Sequence, residues 1–414
     1  MEALTYSTVA VTLGLVVARP RIGATFRLTP AMAAIAGVCV LAAFGSVGLS
    51  DLAWAARLMW RPLLGIVSIM LMTGVARRMG VLDGVATFVF AGAGGSGFRL
   101  FTRVFLFGAI TAAVLNNDSA VLLLTPLVID AARKRHPHLA MPLAFAVFLS
   151  AGVAPFIVSN PMNMVVASYS GIGFNEYARA MAVPALAGAC ATFLGAAFLF
   201  RRDLRTRIAA VHAGKVVFGR SRMVVLVALG AVVLSYPVVS WFGGPVWIVA
   251  AGGALLLLTI GWAMGHRPTK IAREEVHLDT LLFLFAALIL SVGLRHVGVV
   301  DRLATLYVDA SPARIGVVSA LGSAVLNNHP MSHLNMFALN ELAVDRLPEG
   351  GHRSVFAALI GGDLGPRLFP MGSLAGLLWL EMLRRSGVEV NIKRFLVIGA
   401  VATVPALAVC LALI

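Results

Sequence analysis

Two asparagine pairs interrupt apolar runs, Asn116-Asn117 and Asn327-Asn328, with an offset of 211 positions. A side-chain amide donates and accepts hydrogen bonds without carrying charge, so such pairs suit a small, neutral, hydroxylated solute. At the tip of a helical hairpin, the ending arm exposes carbonyls. The next arm exposes amide hydrogens and the positive end of its dipole. The pairs are also expected to cap that second arm, a position that favours asparagine.

Ionisable neighbours make the two tips unequal. Asp118 follows the first pair and His329 the second. An ionisable group within a membrane is a functional hypothesis by default, which makes Asp118, Asp363 and His329 proton-coupling candidates. The other reading of Asp118 is a fixed carboxylate at a helix N-terminus. His329 and His333 would share a helix face, but no third ligand has matching spacing, so no metal site is read and one or both are expected to face an outward vestibule. Asp363 and Arg367, four apart around Gly365-Pro366, read as an intramembrane ion pair, either member of which could sense substrate or proton. Gly152 and Phe156 hold the equivalent positions in the first half. Ser159, Asn160, Asn163, Gly372 and Ser373 complete the substrate-binding candidates, together with Asn116, Asn117, Asn327 and Asn328. Neither an activated nucleophile nor a cofactor motif is visible, so the chain reads as a carrier and not as an enzyme.

The elements that must position these residues are membrane helices. Of the 414 residues, 60% are hydrophobic and 12% charged, and no polar stretch is long enough for a separate soluble domain. Apolar segments at 4–18, 30–49, 62–76, 178–200, 223–242, 245–264, 278–297 and 395–413 read as ordinary spans of a core about 30 Å thick. The stretches 140–171 and 354–383, broken by Gly, Pro and Asn, read as discontinuous helices. The segments 98–132 and 314–340 have short arms around the asparagine pairs and read as re-entrant hairpins. The first is flanked by Arg99, Arg103, Arg133, Lys134 and Arg135. The second follows Arg314 and precedes Glu341, Asp345 and Glu349, which suits entry from the opposite side.

The expected fold is therefore all-α and polytopic, with ten spans and two hairpins. It divides into inverted repeats at 1–200 and 223–414, joined by a basic cytoplasmic linker at 201–222. Pro155 and Pro366 recur at the same offset of 211, and five crossings per half force the inversion. Inverted repeats with broken helices mark secondary transporters whose site lies near the midplane. The net charge of +15 does not indicate nucleic acid, because 24 of the 33 Lys and Arg residues fall in the short regions assigned to the cytoplasm. Both termini are then periplasmic. The N-terminal MEALTYSTVA has no basic n-region and reads as no signal peptide. Cys39, Cys190 and Cys410 lie singly in apolar runs, which suits packing and not a disulfide or metal site.

The segments LNNDSAVLLLTPLVI at 115–129, IVSNPMN at 157–163, VLNNHPM at 325–331 and GGDLGPRLFPMGSLAGLLWLEML at 361–383 resemble the ArsB family of arsenite efflux permeases, over nearly the whole chain. The resemblance implies a bacterial inner-membrane protein that extrudes trivalent arsenic and antimony, by proton antiport or with a soluble ATPase of the ArsA type. It carries a role to Asn116, Asn117, Asp118, Ser159, Asn160, Asn327, Asn328, Asp363 and Ser373. Ser150, where an Asp is common, and the stretch from His329 to His333 depart from the family pattern. Two other readings stay open: a sodium-coupled carrier of carboxylate or sulfate, and a passive conduit driven by an ATPase docked on the linker.

Overall fold

The computed structural model describes residues 1–22, 26–208, 219–343 and 351–414, and it is helical almost throughout. The first part of the chain runs α1 (Glu2–Ala18), α2 (Pro30–Ala43), α3 (Leu49–Arg78), α4 (Val81–Ala91), α5 (Gly97–Val114), α6 (Asn117–Arg135), α7 (Ala140–Ser150), α8 (Pro161–Tyr169) and α9 (Phe174–Leu199). A short α10 (Arg201–Leu204) follows. The second part runs α11 (Arg220–Trp241), α12 (Val246–Ala263), α13 (Pro268–Glu275), α14 (Leu278–His296), α15 (Val299–Tyr307), α16 (Pro312–Leu326), α17 (Asn328–Ala343), α18 (Gly351–Leu364), α19 (Leu374–Arg385) and α20 (Ile392–Ala412). A two-residue antiparallel pair, Arg21–Ile22 with Phe26–Arg27, joins α1 to α2.

Seven described helices, α3, α5, α9, α11, α12, α14 and α20, are long and apolar enough to cross a membrane. Two segments read as spans form helices just below that length, α1 with 17 residues and α2 with 14. Conversely, α3 has 30 residues, about 45 Å at 1.5 Å per residue, and starts 13 positions before the expected 62. Asp51, Arg57 and Arg61 hide that first portion from a hydropathy reading. Asp51 accepts a 2.8 Å bond from the Gly48 backbone N–H at the helix start. The arms of the first hairpin are also longer than expected, 18 residues in α5 and 19 in α6.

Exposed faces carry the side chains that lipid would solvate. Val183, Leu186, Leu194 and Phe198 project from α9, and Val227, Leu234, Leu255 and Leu256 from α11 and α12. Trp241 ends α11 and Trp262 lies near the end of α12, 81% and 67% exposed, helix-end positions where amphipathic rings suit a membrane interface. Packing partners recur in the two parts of the chain: α2 with α14 and α3 with α12, α5 with α7 and α16 with α18, α6 with α19 and α17 with α8. The long helices α9 and α20 pack on each other.

Small residues permit the closest of these crossings, as expected where packing, not water exclusion, drives helix association. A Cβ on Gly361 of α18 would lie 2.2 Å from the Gly316 carbonyl and 2.7 Å from Ser319 Cβ. In the first half a Cβ on Gly108 of α5 would lie 2.1 Å from Ser150 Oγ. Residues 108 and 150 are displaced by 211 from 319 and 361, so the contact recurs with glycine and serine exchanged. Ser150 donates to the Val147 carbonyl at 2.8 Å and is buried. Ser150 thus lies at a helix crossing.

Candidate functional site

Four chain breaks supply the site, and one polar residue at each caps the helix that follows. Asn116 Oδ1 accepts from the Ser119 N–H at 3.0 Å, and Asn327 Oδ1 from the His329 N–H at 3.3 Å. In the broken segments, Asn160 Oδ1 accepts from the Met162 N–H at 3.1 Å and Ser373 Oγ from the Gly376 N–H at 3.0 Å. These bonds satisfy amide hydrogens that a helix start leaves free. The capping expected of the asparagine pairs is therefore found, and the first member of each pair makes the bond.

Both hairpin tips hold an unusual backbone. Asn116 has φ 140° and ψ 146°, and Asn327 has φ 79° and ψ 147°. This region is occupied almost only by glycine and costs on the order of 1–3 kcal/mol per residue elsewhere. Each strained turn leaves the second asparagine at the start of the next arm, where Asn117 Nδ2 donates to the Gly152 carbonyl at 3.1 Å.

Asp363 is the most heavily bonded residue of the site. Its carboxylate accepts from the Ala154 N–H at 2.9 Å, Asn160 Nδ2 at 2.7 Å and Asn163 Nδ2 at 3.4 Å. All three donors come from the broken segment of the first half. Tyr177 of α9 extends the network: Asn163 Nδ2 donates to its hydroxyl at 2.7 Å, and the hydroxyl donates to the Ala154 carbonyl at 3.3 Å. Sequence reasoning missed Tyr177, whose one signal is a phenol immediately before the apolar span read at 178–200.

The expected ion pair between Asp363 and Arg367 is not formed among the described residues. The carboxylate oxygens are engaged by amide donors, and Nη1 and Nη2 of Arg367 are buried without a protein partner. Spacing of four implied helical neighbours, but the helix ends at Leu364 and Arg367 lies on a 3-10 turn, Gly365–Arg367. His329 and His333 also differ from expectation. Both are buried rather than facing a vestibule, and the His329 ring meets Phe283 edge-on at 6.0 Å.

A cavity of about 40 Å³ lies where the breaks meet. Asn117, Asp118, Asn160, Asn328, Asp363 and Ser373 line it, together with Arg367 and the apolar Val121, Phe148 and Ala151. Fully buried polar atoms on this lining without a partner among the described residues are Asn328 Oδ1, an acceptor, and the two Arg367 nitrogens, donors. A second cavity of about 60 Å³ shares Asp118 and Ala375 with the first and extends to Glu275, His277 and Thr280. Glu275 is buried there and pairs with Arg77 and Arg78 at the end of α3.

The remaining sequence candidates stand behind this lining. Ser159 Oγ donates to the Ala113 carbonyl at 2.7 Å, tying the broken segment to α5. A Cβ on Gly372 would lie 2.4 Å from Pro366 Cα, so this glycine shapes the turn. Cys39 and Cys190 are exposed, while Cys410 is buried and donates to the Pro184 carbonyl at 3.1 Å.

Apolar helices of spanning length with lipid-type surfaces, enclosing polar breaks, define a multi-pass helical membrane protein. The family model described as "ArsB: Arsenical pump membrane protein" matches residues 6–414, and the chain belongs to that family. An arsenical pump membrane protein of Escherichia coli is 29% identical over 427 residues, covering 97% of this chain and 95% of the relative. That of Yersinia enterocolitica is 28% identical, covering 98% and 96%. Among solved structures, the YdaH transporter of Alcanivorax borkumensis, reported to have an unusual topology, matches with a TM-score of 0.60 at 15% identity. It covers 100% of this chain and 97% of that one, a likeness of fold.

Proposed function

We propose that the chain exports trivalent arsenic and antimony hydroxides from the bacterial cytoplasm across the inner membrane, as an alternating-access carrier that exchanges them for protons. One observation carries the reading. The cavity between the two sets of breaks offers unpartnered donors and an unpartnered acceptor at once, on Arg367 and Asn328. A molecule bearing several hydroxyl groups presents both functions and can satisfy both. The names of the relatives supply the element.

As it stands the cavity holds roughly one to three waters, so a solute with three hydroxyl groups enters only when the surrounding segments part. Asp118 borders this cavity and the one that reaches Glu275, which favours it as the group that exchanges a proton between solute site and cytoplasm. In this reading 1–200 and 223–414 are inverted repeats and both termini are periplasmic. The linker at 201–222 is cytoplasmic; its residues 209–218 lie outside the described residues, as do Asp345 and Glu349.

Proteoliposomes that contain only this protein test the proposal. An imposed pH gradient should drive arsenite accumulation without ATP, without an ArsA-type ATPase and independently of sodium. Strict sodium dependence would remove proton antiport, and a need for the ATPase would make the chain a conduit. Absence of arsenite movement under all these conditions would remove the substrate.

A further inference from the structure

We infer that Arg367 is a substrate ligand, its guanidinium donating to oxygens of the bound hydroxide. This rests on the proposed transport of arsenic and antimony hydroxides and adds the group that grips them. Arg367 is 3% exposed, lines the 40 Å³ cavity and has both terminal guanidinium nitrogens without a partner among the described residues. A buried cation left unpaired is costly, and a guanidinium cannot escape the cost by losing its proton. The nearby Asp363 carboxylate makes no direct ion pair with it among the described residues, its oxygens accepting instead from three amide donors of the other half.

The surroundings keep the guanidinium in place. A Cβ on Gly152 would stand 3.1 Å from Nη2, and a Cβ on Gly399 of α20 would stand 2.1 Å from the Arg367 carbonyl. Glycine at these positions leaves room for the guanidinium on one side and for its backbone turn on the other. Planar, fork-like donors match two oxygens on one central atom, a geometry shared by carboxylates, phosphates and the hydroxides of arsenic and antimony. Asn328 Oδ1, unpartnered on the same lining, then accepts from a hydroxyl that the guanidinium does not hold.

Arsenite transport into proteoliposomes is measured as half-saturation and maximal rate for the unaltered protein, Arg367→Gln, Arg367→Lys and Gly152→Ala. Loss of a charge-assisted donor pair should raise half-saturation about tenfold or more in Arg367→Gln. Arg367→Lys, which keeps the charge but not the fork, should recover part of the loss. Gly152→Ala, which displaces the guanidinium without removing it, should raise half-saturation several-fold with the melting temperature retained. If Arg367→Gln does not fold, Gly152→Ala decides. Unchanged half-saturation in Arg367→Gln, or in Gly152→Ala when it is the deciding variant, overturns the inference while leaving arsenite transport standing. Failure of the unaltered protein to move arsenite overturns the functional proposal instead.

Discussion

Asn160 donates its side-chain amide to Asp363 across 2.7 Å, joining two residues 203 positions apart in the chain. The bond is buried, and the same asparagine caps α8 with its other side-chain atom. One residue thus ends a break in the first half and occupies a carboxylate of the second. A double-mutant cycle with Asn160→Ala and Asp363→Ala, read by thermal unfolding in detergent, should give a coupling of about 1.5–3 kcal/mol, the range for a hydrogen bond to a charged group. Additive effects would mean that the bond contributes little to holding the halves together.

Asn328→Ala and Asn117→Ala should separate binding from stability. Asn328 Oδ1 has no partner among the described residues, so its removal should weaken arsenite export while costing less stability than the about 1 kcal/mol of a lost hydrogen bond. Asn117→Ala also forfeits the bond to the Gly152 carbonyl and should lose about 1 kcal/mol besides. Unchanged arsenite resistance in cells carrying both substitutions would take the pairs out of the site.

Asp118→Asn keeps the shape of the side chain and removes its exchangeable proton. Arsenite should then still move down its own gradient, while accumulation driven by a pH gradient disappears. If the pH profile of exchange persists, coupling resides in another group, with Asp363 the next to examine.

Asn116→Gly tests the strained tip. Glycine loses the bond to the Ser119 N–H but adopts φ 140° without steric cost. The two effects are of similar size, so the expected melting temperature is close to that of the unaltered protein. Asn116→Ala loses the cap and keeps the strain, and should lose about 1–2 kcal/mol in the same measurement.

Much of the architecture could be read before any coordinates, because hydrocarbon imposes simple rules on composition. Both hairpins and both broken segments announced themselves through Asn, Gly and Pro inside apolar runs, at GVAPFIVSNPMN and GDLGPRLFPMGS. Three features escaped. The first turns of α3 carry Arg57 and Arg61, and α4, α13 and α15 are too short or too polar to count as spans, so windowed hydropathy passes over them. The partners of Asp363 lie about two hundred residues away, and local spacing favoured Arg367 in their place. Tyr177 enters the site through its hydroxyl alone, a contact that depends on how α9 is rotated.

Glycine and serine exchange places at the two helix crossings. Gly108 faces Ser150 and Gly361 faces Ser319, so what each crossing requires is one absent side chain and one hydroxyl, on either helix. A position-by-position comparison of the halves registers two mismatches where the geometry registers one conserved fit. Because Asp363 takes its donors from the other half, neither half on its own keeps its polar groups satisfied. The two halves should therefore assemble when made as separate polypeptides in one cell, and each should be lost when made alone.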